Sequence, residues 1–214
     1  MVGTKLCREV ELPGKGCGLV AVREIQPGEL VARESPALVL PWWVRHSQYP
    51  ARERREYLAR NLLDLSPAQR RQFWALHDAK AGPGEGKTAE GIWRTNNFAL
   101  GPSGPRCDNG LFLGISRFNH SCTPVAEFVW NSAVRQQEVR AVRAVAAGQE
   151  LTISYFTQAV ATLGRVARKQ FLLRLGRPGR PGQSVLLHNT ALLAARVQQT
   201  DNSHHLLQQD VISE

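Results

Sequence analysis

Short apolar runs bounded by turn formers dominate the two ends of the first 156 residues, and a helical spacing of apolar positions separates them. Gly14-Lys15-Gly16-Cys17-Gly18 is a turn tolerant of positive φ that leads into the strand candidate Leu19-Val20-Ala21-Val22. Gln26-Pro27-Gly28-Glu29 is a second tight turn, before Leu30-Val31-Ala32. Within Ala51 to Leu65 the pattern changes: Leu58, Leu62 and Leu65 fall at helical spacing among solvent-compatible Arg52, Glu53, Arg55 and Glu56. Ser66-Pro67-Ala68-Gln69 carries an N-cap serine, a proline at the first helical position and a glutamine three residues after the cap, so a second helix is predicted from there to about His77. The glycine-rich stretch Gly82 to Gly91 closes this helical insert as a loop.

From Ile92 the pattern reads as strand again through Trp93, Phe98 and Leu100, breaks at Gly101-Pro102-Ser103-Gly104-Pro105, and resumes at Gly110-Leu111-Phe112-Leu113. Glu127-Phe128-Val129-Trp130 and Val139 to Val145 form an antiparallel pair about the turn Asn131-Ser132. Gly148 turns the chain into Leu151-Thr152-Ile153-Ser154-Tyr155, where Leu151, Ile153 and Tyr155 share one face of a strand. Many short strands around a helical insert predict an α+β architecture of small antiparallel sheets. Residues 6–156 read as one domain with its insert at about 48–91. A helix follows at 157–175, and 176–214 is an atypical basic tail rich in glycine and proline at its start.

Composition narrows the function classes only a little. With 214 residues there is room for one well-buried domain. No apolar run approaches the roughly 20 residues of a membrane helix, and the N-terminus lacks the apolar core of a secretory signal, so the expected setting is intracellular, without a membrane partner. Cys7, Cys17, Cys107 and Cys122 are widely spaced, which argues against a disulfide framework and against a self-contained zinc module. The net charge of +9 is unevenly spread, with seven Arg or Lys against three acids from Gly164 onward. No basic stripe interleaved with aromatics accompanies it, so nucleic acid is not the expected partner.

The chemistry concentrates in Arg117-Phe118-Asn119-His120-Ser121-Cys122-Thr123-Pro124 and in Glu150-Leu151-Thr152-Ile153-Ser154-Tyr155. Read by themselves, His120 and Cys122 lie too close along one segment for a nucleophile and its base, and they are too few for a zinc site. Taken together and in this order, the two stretches resemble the paired signature of the SET domain, the fold of protein-lysine methyltransferases that use S-adenosylmethionine. Thr95-Asn96-Asn97-Phe98 resembles an asparagine-containing strand of the branch related to SMYD proteins.

That resemblance implies a SET fold with a knot-like C-terminal strand, S-adenosylmethionine as cofactor, and a lysine-bearing protein, histone or not, as substrate of a monomeric enzyme. It implies cofactor contacts from Lys15, Cys17, Asn96, Asn119, His120 and Tyr155, with Tyr155 as the catalytic residue. A free lysine amine has a pKa of about 10.4. A narrow apolar channel and a nearby sulfonium both favour loss of its proton, after which alignment supplies most of the rate.

Two departures stand out. Val125 replaces the asparagine that usually follows the motif's proline, and no cysteine occurs after Cys122. Related enzymes complete a zinc site with cysteines beyond the catalytic tyrosine, so zinc is not expected here and Cys122 is a free thiol. A MYND finger is missing as well. The alternative reading is therefore a catalytically impaired SET-fold module that acts through binding.

Overall fold

The computed structural model describes residues 6–45, 49–82, 84–101 and 106–156, with 164, 167 and 170 as isolated positions. The predicted helix at 157–175 and the tail at 176–214 fall almost wholly outside the described residues.

The chain opens with the hairpin β1 (Cys7–Leu12) and β2 (Gly16–Ala21), paired from Cys7–Ala21 to Leu12–Gly16. Its turn is closed by the Lys15 amide donating to the Leu12 carbonyl at 3.0 Å, and Gly14 and Gly16 take φ near +70°, which the absence of a Cβ permits. Gln26-Pro27-Gly28-Glu29 forms the expected turn, with Gly28 at φ +81° and the Glu29 amide donating to the Gln26 carbonyl. It delivers β3 (Leu30–Glu34), which is followed by β4 (Leu38–Leu40).

The insert holds α1 (Trp42–Arg45), α2 (Ala51–Leu63) and α3 (Pro67–Ala75). Leu58 and Leu62 of α2 are buried, as their spacing predicts. The capping box at α3 is complete, since Ser66 Oγ accepts from the Gln69 amide and Gln69 Oε1 accepts from the Ser66 amide. Ser66→Ala should lower stability by about 0.5–2 kcal/mol. A chemical-denaturation midpoint checks this, and an unchanged midpoint would show that α3 is held by its packing alone.

The glycine-rich stretch is not the end of the insert. Thr88 caps a further helix, α4 (Ala89–Asn96), so Ile92 and Trp93, expected in a strand, are helical. The reason is tertiary. Ile92, Trp93 and Asn96 put one face of α4 against the cluster of Leu58, Leu62, Phe73 and Leu76, while Gly91 lies against the Asp78 carboxylate, where a Cβ has no room. That carboxylate also accepts from the Lys80, Ala81 and Thr88 amides, which ties down the segment leading to the helix.

The chain then forms β5 (Asn97–Ala99), β6 (Asn109–Leu111), a 3-10 turn at Ile115–Arg117, β7 (Asn119–His120), β8 (Ala126–Asn131), β9 (Gln136–Ala141) and β10 (Glu150–Ile153). They assemble into three small sheets, ordered β1-β2-β10-β7, β3-β9-β8 and β4-β6-β5. This is the α+β arrangement that the pattern predicts. The run from β6 joins the two hydrophobic cores by alternation: Leu111 and Leu113 face the helical insert, and Phe112 faces the sheet core of Ile25, Val31, Val139, Leu151 and Ile153. The insert is thereby docked to the strands that carry the signature.

Candidate active site

The two signature stretches meet through β10. This strand pairs antiparallel with β2, through Glu150–Val20 and Leu151–Leu19, and parallel with β7, through Thr152–Asn119 and Ile153–His120. The Ser121 amide continues the ladder by donating to the Ile153 carbonyl at 3.0 Å. Residues from the first hairpin, the Asn-His motif and the last strand are thus locked into one register. Just before the motif, Glu34 at the end of β3 accepts from the Gly114 and Ile115 amides and so holds the start of the 3-10 turn. Burial raises the pKa of its carboxyl.

On the hairpin side, Asn119 Nδ2 donates to Glu150 Oε1 at 3.0 Å and to the Cys17 carbonyl at 3.4 Å. Glu150 Oε2 receives Lys15 Nζ at 2.5 Å. Gly18 makes this junction possible, because a Cβ there would stand 2.6 Å from Asn119 Nδ2. Lys15 and Cys17 of the hairpin and Asn119, 102 positions beyond Cys17, are therefore neighbours. Cys17 contributes its backbone carbonyl to Asn119, while its exposed thiol bonds Glu9 and has a raised pKa, with burial the leading cause.

On the other side, His120 Nδ1 accepts from the Tyr155 amide at 3.0 Å, and His120 Nε2 lies 3.3 Å from Cys122 Sγ. The first bond places the ring proton on Nε2, so the imidazole donates to the thiol sulfur and is neutral. Burial lowers the pKa of His120 below its ordinary value. A depressed histidine contributes stability in full above the unfolded value of about 6.5, and that contribution is lost as pH falls through the lower folded value. Unfolding midpoints taken across this window should fall toward acid, and His120→Phe should flatten the slope. An identical slope in the variant would dismiss the role.

Tyr155 lies beyond the end of β10 rather than within it, so it does not share a strand face with Leu151 and Ile153 as the alternation suggested. Position 152 is buried as well, so β10 is covered on both faces and its burial pattern does not alternate. Tyr155 is 39% exposed, yet its hydroxyl end lies over the backbone of the 3-10 turn, where Oη donates to the Phe118 carbonyl at 2.8 Å. Burial first, and the charge of Glu150 second, push its pKa up to about 12. The phenol is accordingly a neutral group at physiological pH.

Asn96 is not on a strand. It ends α4, buried, with Nδ2 donating to the His77 and Ile92 carbonyls at 2.7 Å each. The helix cap at Thr88 and the fit at Gly91 prevail over the strand pattern, and the Asn96 amide nitrogen serves to fasten the insert. Asn97 begins β5, donating to the Trp93 carbonyl and accepting from Asn109. Among the described residues, Glu150 is a site residue that the sequence pattern passes over, although it heads the Glu-Leu-Thr-x-x-Tyr stretch. Among the described residues no group of three or more His, Cys, Asp or Glu could hold a metal ion. Nor is any helix among them long and apolar enough to cross a membrane.

The SET domain sequence model matches residues 16–156, from the start of β2 to just past Tyr155. The chain belongs to the SET domain family. Within that family it is similar to the histone-lysine N-methyltransferase set5 of Schizosaccharomyces pombe, 29% identical over 152 residues that make up 71% of this chain and 42% of that protein. This SET-domain chain thus spans less than half the length of the curated relative it matches. A crystal structure of a Plasmodium falciparum protein proposed to be a histone methyltransferase also aligns, at 13% identity and a TM-score of 0.38, over 71% of this chain and 94% of that one. The last similarity is too distant to build on.

Proposed function

We propose that this SET domain transfers a methyl group from S-adenosylmethionine to a lysine side chain of a protein. The observation that carries the reading is the convergence of Asn119, His120 and Tyr155 through the pairing of β10 with β7. The residues present fit the donor's amino-acid part. Lys15 offers a cation for a carboxylate, and Asn119, with Nδ2 engaged internally, offers Oδ1 as an acceptor for an ammonium. When bound, the donor supplies an electrophilic methyl on a sulfonium.

The chain's own contribution is orientation. Because Tyr155 Oη gives its hydrogen to the Phe118 carbonyl, the oxygen keeps lone pairs free to accept from an incoming lysine amine. Its high pKa excludes it as a phenolate base near neutrality. The amine must therefore arrive neutral or lose its proton in the channel, and Tyr155 aligns it rather than deprotonating it. Histone and non-histone proteins both remain substrates under this reading. Placement near the SMYD-like branch belongs to the same proposal, as do a monomeric state and an intracellular site of action.

The test is to incubate the purified chain with methyl-labelled donor and a mixture of cell proteins. Label on lysine supports the reading. The second reading is a SET-fold module that binds the donor without turnover. Donor binding with no transfer to any protein would select it.

A further inference from the structure

We infer that Glu150 is a positioning residue, whose carboxylate fixes the side-chain rotation of Asn119 and so presents Asn119 Oδ1 to the primary ammonium of the methyl donor. The inference rests on the proposed function and extends it to a residue outside the expected contacts. An asparagine amide can be turned over at little steric cost, and only its hydrogen-bond partners decide which end faces a ligand. Here both partners are acceptors. Glu150 Oε1 stands 3.0 Å and the Cys17 carbonyl 3.4 Å from the same nitrogen, which leaves the amide oxygen as the outward group. The Cys17 contact is the longer of the two and neutral, so the charged acceptor dominates the choice.

Glu150 is itself held in place. Its other oxygen takes Lys15 Nζ, and its backbone lies in register with Val20 across β2, so the carboxylate cannot swing away without breaking the ion pair. Its side chain is only 19% exposed, which shields both interactions from water more than an open surface pair would be. One carboxylate therefore links the hairpin tip, the last strand and the Asn-His motif. Without it, only the longer Cys17 contact opposes the rotation that would present the Asn119 NH2 group, a donor facing a cation.

The test uses the full chain, with Glu150→Ala, Glu150→Gln and, as a control away from the site, Arg52→Gln. Calorimetric titration with S-adenosylmethionine should show Kd raised about tenfold in Glu150→Ala, the scale of losing a hydrogen bond to a charged acceptor. Glu150→Gln retains an oxygen that can accept from Asn119, so its loss should be about threefold. Arg52→Gln should match the wild type, and kcat at saturating donor should change less than KM in both Glu150 variants. Without any donor, the Asn119 side-chain amide signals in a 15N spectrum, assigned through Asn119→Asp, should move in Glu150→Ala. Those signals staying in place, or a Kd within twofold of wild type in a folded Glu150→Ala, would overturn the inference. A wild type that binds no donor overturns the functional reading and the donor half of this inference together, and the amide signals still decide whether Glu150 sets the rotation.

Discussion

Tyr155→Phe is expected to lower kcat by about a hundredfold to a thousandfold, the range found when one preorganised polar contact to a reacting centre is removed. The change deletes the oxygen that accepts from the lysine amine, and it leaves the ring in contact with His120, whose centroid lies 5.3 Å away. The Tyr155 amide still donates to His120 Nδ1, because that bond is made by the backbone. Donor affinity should therefore change by less than about threefold, and the loss should appear in kcat alone. The Phe118 carbonyl loses its hydroxyl partner, at a cost of about 1–3 kcal/mol if water cannot replace it. Single-turnover rates with labelled donor, read beside donor titrations, separate these effects. Transfer at the wild-type rate in Tyr155→Phe would remove Tyr155 from catalysis altogether.

What could be read from the sequence is what is local. The capping box at Ser66 lies within four residues, and it forms as written. The turns at Gly14 to Gly18 and at Gln26 to Glu29, and the hairpin of β8 and β9, are likewise decided by neighbours in the chain. Ile92 and Trp93 mislead for the opposite reason. Their side chains suit a strand, but a cap at Thr88 and a close fit between Gly91 and Asp78, thirteen positions earlier, make the segment helical. Asn96 follows the same shift, ending α4 where the pattern places it on a strand.

The same distinction holds within the site. Asn119, His120 and Tyr155 are expected together because they lie in stretches that resemble a known signature, and the pairing of β10 with β7 brings them together. Glu150 lies in one of those stretches too, yet its partner Lys15 is 135 positions away, and nothing in the spacing announces the ion pair. Its function as a link exists only once β10 is laid beside β2. Cys17, where the resemblance implies a cofactor contact, offers its carbonyl to Asn119 Nδ2.

Gly18→Ala should damage donor binding while it leaves the fold in place. The added Cβ would lie 2.6 Å from Asn119 Nδ2 and 2.5 Å from Leu12 Cδ1, closer than real Cβ contacts come. Both atoms are the far ends of side chains, so they can move aside, and the hairpin pairing of Gly18 with Val10 need not break. The stability cost is accordingly modest, about 1–3 kcal/mol for a small overpacking. For the site the outcome is different, because the group that must yield is the Asn119 amide itself. Once displaced, it loses both the Glu150 oxygen and the Cys17 carbonyl, and Oδ1 no longer has a fixed direction. Donor affinity should fall by at least about tenfold while the thermal transition stays cooperative. Calorimetry on Gly18→Ala, with circular dichroism to confirm the fold, checks both halves of this expectation. An unaltered Kd in a folded variant would mean that Leu12 alone absorbs the methyl group and that Asn119 does not contact the donor through its side chain.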